Sequence, residues 1–232
     1  LDYARYGITT AQDGAASPQV VQLLQASAAY RKFPIDVVAY QIANERYLNE
    51  PDLALPSLEP YENGFRVGGV KMVLDGSPQG KTAYLTKPYE VQPHGQHAEY
   101  RGYPIMPAAS VDALFDKFIS ADIPFLAHAN GDAAADLFIQ ALAKSLEGKR
   151  SKDHRSVMIH AQTVRDDQLD RMAEMNVIPS YFSAHTFYWG DWHRDSVFGE
   201  ERASRISPTQ SSLDKGIVFT VHNDSPVVPP DM

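Results

Sequence analysis

The chain has 232 residues, enough for one large α/β domain or two small ones. Its net charge of −8 argues against nucleic acid or an anionic membrane as a partner, and no apolar run approaches the roughly 20 residues that cross a bilayer. The absence of cysteine excludes disulfides and thiolate metal sites. Histidine, carboxylate and a modified lysine remain as candidate metal ligands.

Short β-branched segments alternate with amphipathic segments from one end of the chain to the other. The predicted strands lie at residues 8–13, 34–40, 69–74, 124–128, 156–160, 177–182 and 217–222. The predicted helices lie at residues 18–32, 111–118, 132–148, 166–175, 200–206 and 208–216. Ser17 and Ser110 are expected to cap the first two of these helices. Residues 44–62 carry no clear pattern.

Residues 75–109 form the longest segment without periodicity. Loops of this length inside a compact domain are uncommon and usually functional. Tyrosines recur through the segment, so we expect a packed, lid-like loop.

The alternation predicts a parallel sheet with right-handed crossovers. Seven strand–helix units are one short of a closed (β/α)8 TIM barrel, so we expect residues 1–232 to form one partial barrel domain with strands 2–8. An open doubly wound sheet is the alternative. No glycine-rich dinucleotide or phosphate loop follows a predicted strand.

Both ends of the chain are expected to be cut from a longer protein. Residues 1–7 are typical of the last turns of a helix closed by Gly7, and the chain ends soon after a predicted strand. No signal peptide is visible, and we expect a cytoplasmic protein.

Polar residues stand at or near the ends of four predicted strands. They are Lys71, His128, His160 and Asp224. In a parallel barrel these ends meet at one rim, and two imidazoles with a carboxylate suit zinc or another divalent ion. A carboxylated Lys71 would add an anionic oxygen able to bridge two ions. The alternative, of about equal weight, is that Lys71 is an ordinary solvated lysine at the end of a strand.

Several segments resemble amidohydrolase family 3, the branch of the metal-dependent amidohydrolases that includes N-substituted formamide deformylases. They are residues 75–77 (DGS), 82–83 (TA), 128–132 (HANGD), 160–162 (HAQ), 183–195 (SAHTFYWGDWHRD) and 222–227 (HNDSPV). The resemblance runs from about Tyr6 to Pro230, nearly the whole chain.

The resemblance implies a metal site with one or two ions, most readily zinc. His128, His160 and Asp224 match the family's metal ligands, and Lys71 matches a lysine that is carboxylated in binuclear members. The His-x-His pair of the first barrel strand is absent from the sequence. The chain is therefore expected to be the central part of a longer enzyme, without the first strand and the flanking β-sandwich, which puts metal occupancy of this fragment in doubt.

The chemistry expected of such a site is hydrolysis by metal-activated water. Asp224 is the candidate catalytic residue, because it can accept a proton from water and deliver it to the leaving amine. His185 and His222 are candidates for contact with the substrate oxyanion, or are packing residues. The aromatic candidates for a substrate pocket are Tyr188, Trp189 and Trp192, although each could simply fill space.

The leading hypothesis is a metal-dependent hydrolase of a non-peptide C–N bond, with a small amide or formamide as substrate and possible assembly into a homo-oligomer. The alternative is a metal-free, catalytically incomplete barrel fragment that acts only as a binding or structural part of the protein. An isomerase or C–C hydrolase on the same scaffold is a third possibility.

Overall fold

The computed structural model describes residues 2–50, 52–148 and 153–229. Residue 1, which belongs to the predicted helix tail, and Pro230, where the resemblance ends, lie outside the described residues. Within them, no helix is both long and apolar enough to cross a membrane.

Seven parallel strands form one sheet. They are β1 (Thr10–Ala16), β2 (Asp36–Ile42), β3 (Phe65–Val73), β4 (Phe125–Ala129), β5 (Val157–His160), β6 (Ile178–Tyr181) and β7 (Thr220–Val221). Each strand pairs with the next one in the chain, in the order β1 to β7 without reversal. This sequential order is that of a (β/α) barrel, so the doubly wound alternative is wrong. In the described part of the chain β1 and β7 do not pair, and the sheet is open between them.

Nine α-helices and one π-helix accompany these strands within the described ranges, and all except the first lie between two strands. They are α1 (Asp2–Arg5), α2 (Pro18–Tyr30), α3 (Arg46–Asn49), α4 (Ala108–Ser120), α5 (Asp132–Leu146), α6 (Asp166–Glu174), α7 (Ala184–Trp192), the π-helix (His193–Phe198), α8 (Glu200–Ala203) and α9 (Thr209–Asp214). Neither α7 nor the π-helix was predicted, and the last strand is shorter than expected.

One of the two predicted helix caps is confirmed. The hydroxyl of Ser17 accepts a hydrogen bond from the backbone N–H of Val20 at 3.2 Å. The prediction for Ser110 is wrong, because α4 begins at Ala108, directly after Pro107. Two alanines, which favour the helix, carry it back to the proline, and the Ser110 hydroxyl donates instead to Glu45 at 2.5 Å.

The main core lies where α4 and α5 cover the middle of the sheet. Phe115 of α4, Phe125 of β4 and Phe138 of α5 are fully buried, with ring centroids 4.6 to 6.1 Å apart. Large aromatic contacts of this kind fix the strand against both helices. The end of β4 at Ala129, four residues beyond Phe125, is therefore held firmly.

Residues 75–107 contain neither helix nor strand, as the sequence predicts. The loop packs through Leu85 and Tyr89 against Val197 and Phe198 of the π-helix segment. The backbone N–H of Glu90 also donates to the carbonyl of Val197 at 3.0 Å. Because the loop follows β3 and α7 follows β6, this packed unit extends from the carboxyl ends of the strands.

Candidate metal centre

The parallel strands deliver several histidines to one end of the sheet. In the β4–β5 register Ala129 lies opposite His160, so His128 and His160 stand at the ends of neighbouring strands. His222 follows β7, and its backbone N–H donates to the carbonyl of Tyr181 at 2.9 Å. All of them lie at the carboxyl ends, where parallel barrels build their sites.

His160, His222 and Asp224 form a compact group. One ligand atom from each lies within 4.8 Å of those of the other two. The backbone is left-handed at two members, with φ of +73° at His160 and +60° at Asp224. Such values are uncommon outside glycine and cluster at functional sites, where surrounding structure holds them.

Two nitrogens of this group are buried without a hydrogen-bond partner. They are Nδ1 of His160 and Nε2 of His222. The other ring nitrogen of His222 is engaged, because Nδ1 lies 2.9 Å from the hydroxyl of Ser180. An unpaired buried polar atom is costly, and a cation bound by these nitrogens would remove that cost. The donor set of two imidazoles and one carboxylate therefore fits a divalent metal.

The histidines are uncharged at neutral pH, which is the form that binds a metal. Burial, together with the neighbouring histidines and Lys71, holds the pKa of His160 well below its usual range. Burial, and then the charge of Lys71, lowers the pKa of His222 to about 4. Burial lowers the pKa of His128 to about 4. The hydrogen bond to Gly76 opposes this shift, and the charge of Lys71 adds to it.

His128 lies beside the compact group rather than within it. Its ring centroid is 4.6 Å from that of His160. Its Nε2 is turned towards the loop after β3, 3.0 Å from the carbonyl oxygen of Gly76 and 3.4 Å from Oδ1 of Asp75. Of its two ring nitrogens, only Nδ1 remains for a cation. The structure thus brings together two of the expected ligands, His160 and Asp224, with His222 as the third member.

Lys71 reaches the same region from β3. It is 8% exposed, and burial lowers its pKa to about 8 although the charge of Asp224 raises it. Conversely, burial raises the pKa of Asp224 and Lys71 lowers it. The two groups therefore attract each other across the site. The described residues offer the Lys71 ammonium no hydrogen bond.

Asp75 is a fully buried carboxylate at the start of the long loop. Its oxygens accept backbone N–H groups of Tyr84, Asn130 and Gly131 at 2.8 to 2.9 Å. Burial raises the pKa of Asp75 to about 7, and these three donors oppose the rise. The carboxylate joins the loop after β3 to the turn between β4 and α5.

His222, which was predicted as a substrate contact, belongs to the compact group itself, and of the other predicted contacts His185 and Trp189 lie nearest to it. The ring of His185 is 5.9 Å from that of His160 and 4.4 Å from that of Phe182. Its Nδ1 is buried and unpaired, and burial, with neighbouring histidines, lowers its pKa to about 3. The ring of Trp189 lies 5.9 Å from that of His185.

The other two aromatic candidates face outwards. Tyr188 is 40% exposed and Trp192 46% exposed. The indole N–H of Trp192 donates to the carbonyl of Gln79 at 3.1 Å, which ties α7 to the long loop. In this conformation they do not wall the centre.

Sequence reasoning gave no role to a second pair of buried polar residues, Gln162 and His193. Both are completely buried, and the amide nitrogen of Gln162 lies 3.4 Å from Nδ1 of His193. Oε1 of Gln162 and Nε2 of His193 have no partner. Gln162 belongs to the HAQ segment, which was a usable signal. His193 lies on the unpredicted π-helix, a rare form frequent at functional sites.

The chain is similar in sequence and in fold to proteins described as hydrolases. The sequence model of the amidohydrolase family matches residues 1–232. YtcJ of Bacillus subtilis (strain 168), which is named as an amidohydrolase, is 25% identical over 210 residues, which cover 88% of this chain and 36% of YtcJ.

Two solved structures share the fold over almost the whole chain. Both are described as uncharacterized metal-dependent hydrolases. The one from Pyrococcus furiosus is 25% identical with a TM-score of 0.81 and covers 99% of this chain and 45% of its own. The one from Pyrococcus horikoshii OT3 is 24% identical with a TM-score of 0.79 and covers 98% and 44%. The chain thus spans less than half the length of each of these three relatives.

Proposed function

Because the chain belongs to the amidohydrolase family, we propose that it contributes the metal site of a metal-dependent hydrolase. The bond cleaved is a C–N bond of a small amide or formamide rather than of a peptide. The deformylase-like segments of the sequence support this substrate class, and the buried aromatic surroundings of His185 suit an apolar N-substituent.

One observation carries the proposal. His160, His222 and Asp224 place a ligand atom each within 4.8 Å of the others, and two of those residues have a buried nitrogen without a partner. Neutral imidazoles and a carboxylate are the donors that zinc prefers. His128 Nδ1 and, if carboxylated, Lys71 are the further donors next to this group. The described residues thus suit one ion directly and a second through Lys71.

His160, His222 and Asp224 would hold a divalent ion, which would supply the acidification of water and the polarisation of the substrate carbonyl that hydrolysis needs. The protein supplies the proton transfers. Asp224 accepts a proton from the attacking water and delivers it to the amine, which must leave protonated. Burial raises the pKa of Asp224, so its carboxylate binds a proton more readily than an exposed aspartate does. To His185 we assign a hydrogen bond to the substrate oxygen, because its buried Nδ1 has no partner and would be free to donate one.

Metal removal tests this proposal in the full-length protein. Exhaustive chelation should abolish hydrolysis of a panel of N-formyl and N-acyl amines, and Zn²⁺ should restore it, with the amine measured as product. Hydrolysis that survives complete loss of metal would refute the proposed mechanism. A protein that binds zinc but releases no amine from any member of the panel would refute the substrate class instead.

A further inference from the structure

Asp75 is a buried carboxylate that makes three backbone hydrogen bonds and also lies close to a histidine ring. Oδ1 accepts the backbone N–H of Asn130, and Oδ2 accepts those of Gly131 and Tyr84. These three bonds fix both oxygens in the loop. Oδ1 nevertheless also lies 3.4 Å from Nε2 of His128, the histidine beside the candidate metal group.

The surroundings of His128 Nε2 decide where the ring carries its proton. The carbonyl oxygen of Gly76 lies 3.0 Å from Nε2, and the Asp75 carboxylate lies just beyond it. A lone pair on Nε2 would face two electronegative oxygens, whereas an N–H would donate to the carbonyl and be attracted by the carboxylate. The side-chain amide of Asn130, 3.0 Å from Nε2, favours the opposite tautomer. The same amide nitrogen already donates to Gly76, also at 3.0 Å.

We propose that Asp75 is a positioning residue that keeps the proton of His128 on Nε2 and thereby presents Nδ1 as the metal-binding atom. The proposal rests on the proposed metal-dependent function. Carboxylates and carbonyls that fix the tautomer of a ligating histidine typically contribute 10- to 100-fold to metal affinity. In this chain the carboxylate and the carbonyl come from consecutive residues, Asp75 and Gly76. The DGS segment therefore supplies both of the oxygens that face Nε2 of His128.

A purely structural role would make Asp75 equivalent to Asp132, which also ties the long loop to α5. Asp132 accepts the backbone N–H of Thr86 at 2.9 Å and pairs with Arg165 at 3.3 Å. It is 9% exposed and makes no contact with His128. Asp132→Asn is therefore the matched control for Asp75→Asn.

The experiment measures Zn²⁺ affinity by competition with a chromogenic chelator in the full-length protein and both variants. Asp75→Asn should raise the zinc dissociation constant by about 10- to 100-fold, whereas Asp132→Asn should leave it unchanged. Thermal unfolding of the metal-free proteins reports the loss of loop contacts in each. An unchanged zinc affinity in a folded Asp75→Asn protein, or an equal loss in both variants, would overturn the proposal.

Asp75→Asn places an amide where three backbone N–H groups now donate to a carboxylate, and the variant can fail to fold. The wild-type protein then decides, through a crystal structure with zinc bound. Nδ1 of His128 on the metal, with Nε2 towards Gly76, is the expected result, and Nε2 on the metal would overturn the proposal. Wild-type protein that binds no zinc would overturn the proposed function as well, whereas a change confined to the variants concerns Asp75 alone.

Discussion

The two ends of strands β5 to β7 both carry histidines, but only one end leaves their nitrogens unpaired. At the amino ends, residues that precede these strands line a cavity of about 500 Å³. His154 lies there with both ring nitrogens engaged, accepting the backbone N–H of Ser156 at 3.1 Å and donating to the carbonyl of Met175 at 2.8 Å. At the carboxyl ends, His160 and His222 each have a buried nitrogen without a partner.

The difference teaches that cavity volume does not identify the site in this fold. Apolar and polar clefts occur wherever helices diverge, but buried polar atoms without partners are rare in native structures and call for a ligand. The amino-end cavity is large, and both ring nitrogens of its histidine have hydrogen-bond partners. At the carboxyl end, His160 and His222 each have a buried ring nitrogen without a partner. Chemistry is therefore expected at the carboxyl end alone.

The largest expected effect of a substitution is at Asp224. Asp224→Asn removes the group that accepts and returns the proton while keeping one oxygen for a metal. We expect turnover of the full-length enzyme to fall by about 10²- to 10⁴-fold, the usual contribution of a general acid–base residue. Amine release in the assay and zinc content by atomic absorption check the two halves of this prediction.

Turnover and zinc content lead to separate conclusions about Asp224. Metal retained with turnover lost supports proton transfer by Asp224. Loss of both assigns Asp224 chiefly to metal binding, and unchanged turnover would contradict its catalytic role.

A histidine from each end gives the next test of the contrast. His222→Ala should raise the zinc dissociation constant by more than the 10- to 100-fold typical of residues that only position a ligand. His154→Ala should leave zinc affinity unchanged. It should instead lower the free energy of unfolding by about 1–3 kcal/mol, because the Met175 carbonyl and the Ser156 N–H lose their partner.

Chelator competition and urea unfolding of both variants are the measurements. If His154→Ala weakened zinc binding as much as His222→Ala, the two ends would not differ in the way that their hydrogen bonds indicate.

The fold was largely predictable from the sequence because strand and helix periods differ. All seven strands were placed near their observed positions, and the family resemblance is confirmed at the level of the amidohydrolase family. The deformylase-like branch stays a prediction. The α7 and π-helix region was missed because apolar and polar residues there follow no single helical face, and a π-helix has no helical-period signal of its own.

The candidate site was only partly predictable. His160 and Asp224, which the structure brings together, could be named as candidates because each stands at or shortly after the end of a predicted strand. The place of His222 depends on β7 ending at Val221, one residue earlier than the sequence indicated. Asp75 and His193 make hydrogen bonds with residues that lie 55 and 31 positions away in the sequence, and no local pattern records such contacts.

The smallest expected effect lies at the rim of the amino-end cavity. The ammonium of Lys215 pairs with the carboxylate of Asp170, which links the end of α9 to α6. The two side chains are 27% and 60% exposed, so solvent screens their attraction. Lys215→Met should therefore change the free energy of unfolding by no more than about 1 kcal/mol, and less at high salt.

Asp170→Asn is the matched control, since it removes the same ion pair by changing the other residue. Turnover should be unchanged in both, because neither residue reaches the carboxyl ends of the strands. A loss of turnover in Lys215→Met without a matching loss in Asp170→Asn would mean that the cavity itself binds substrate through Lys215.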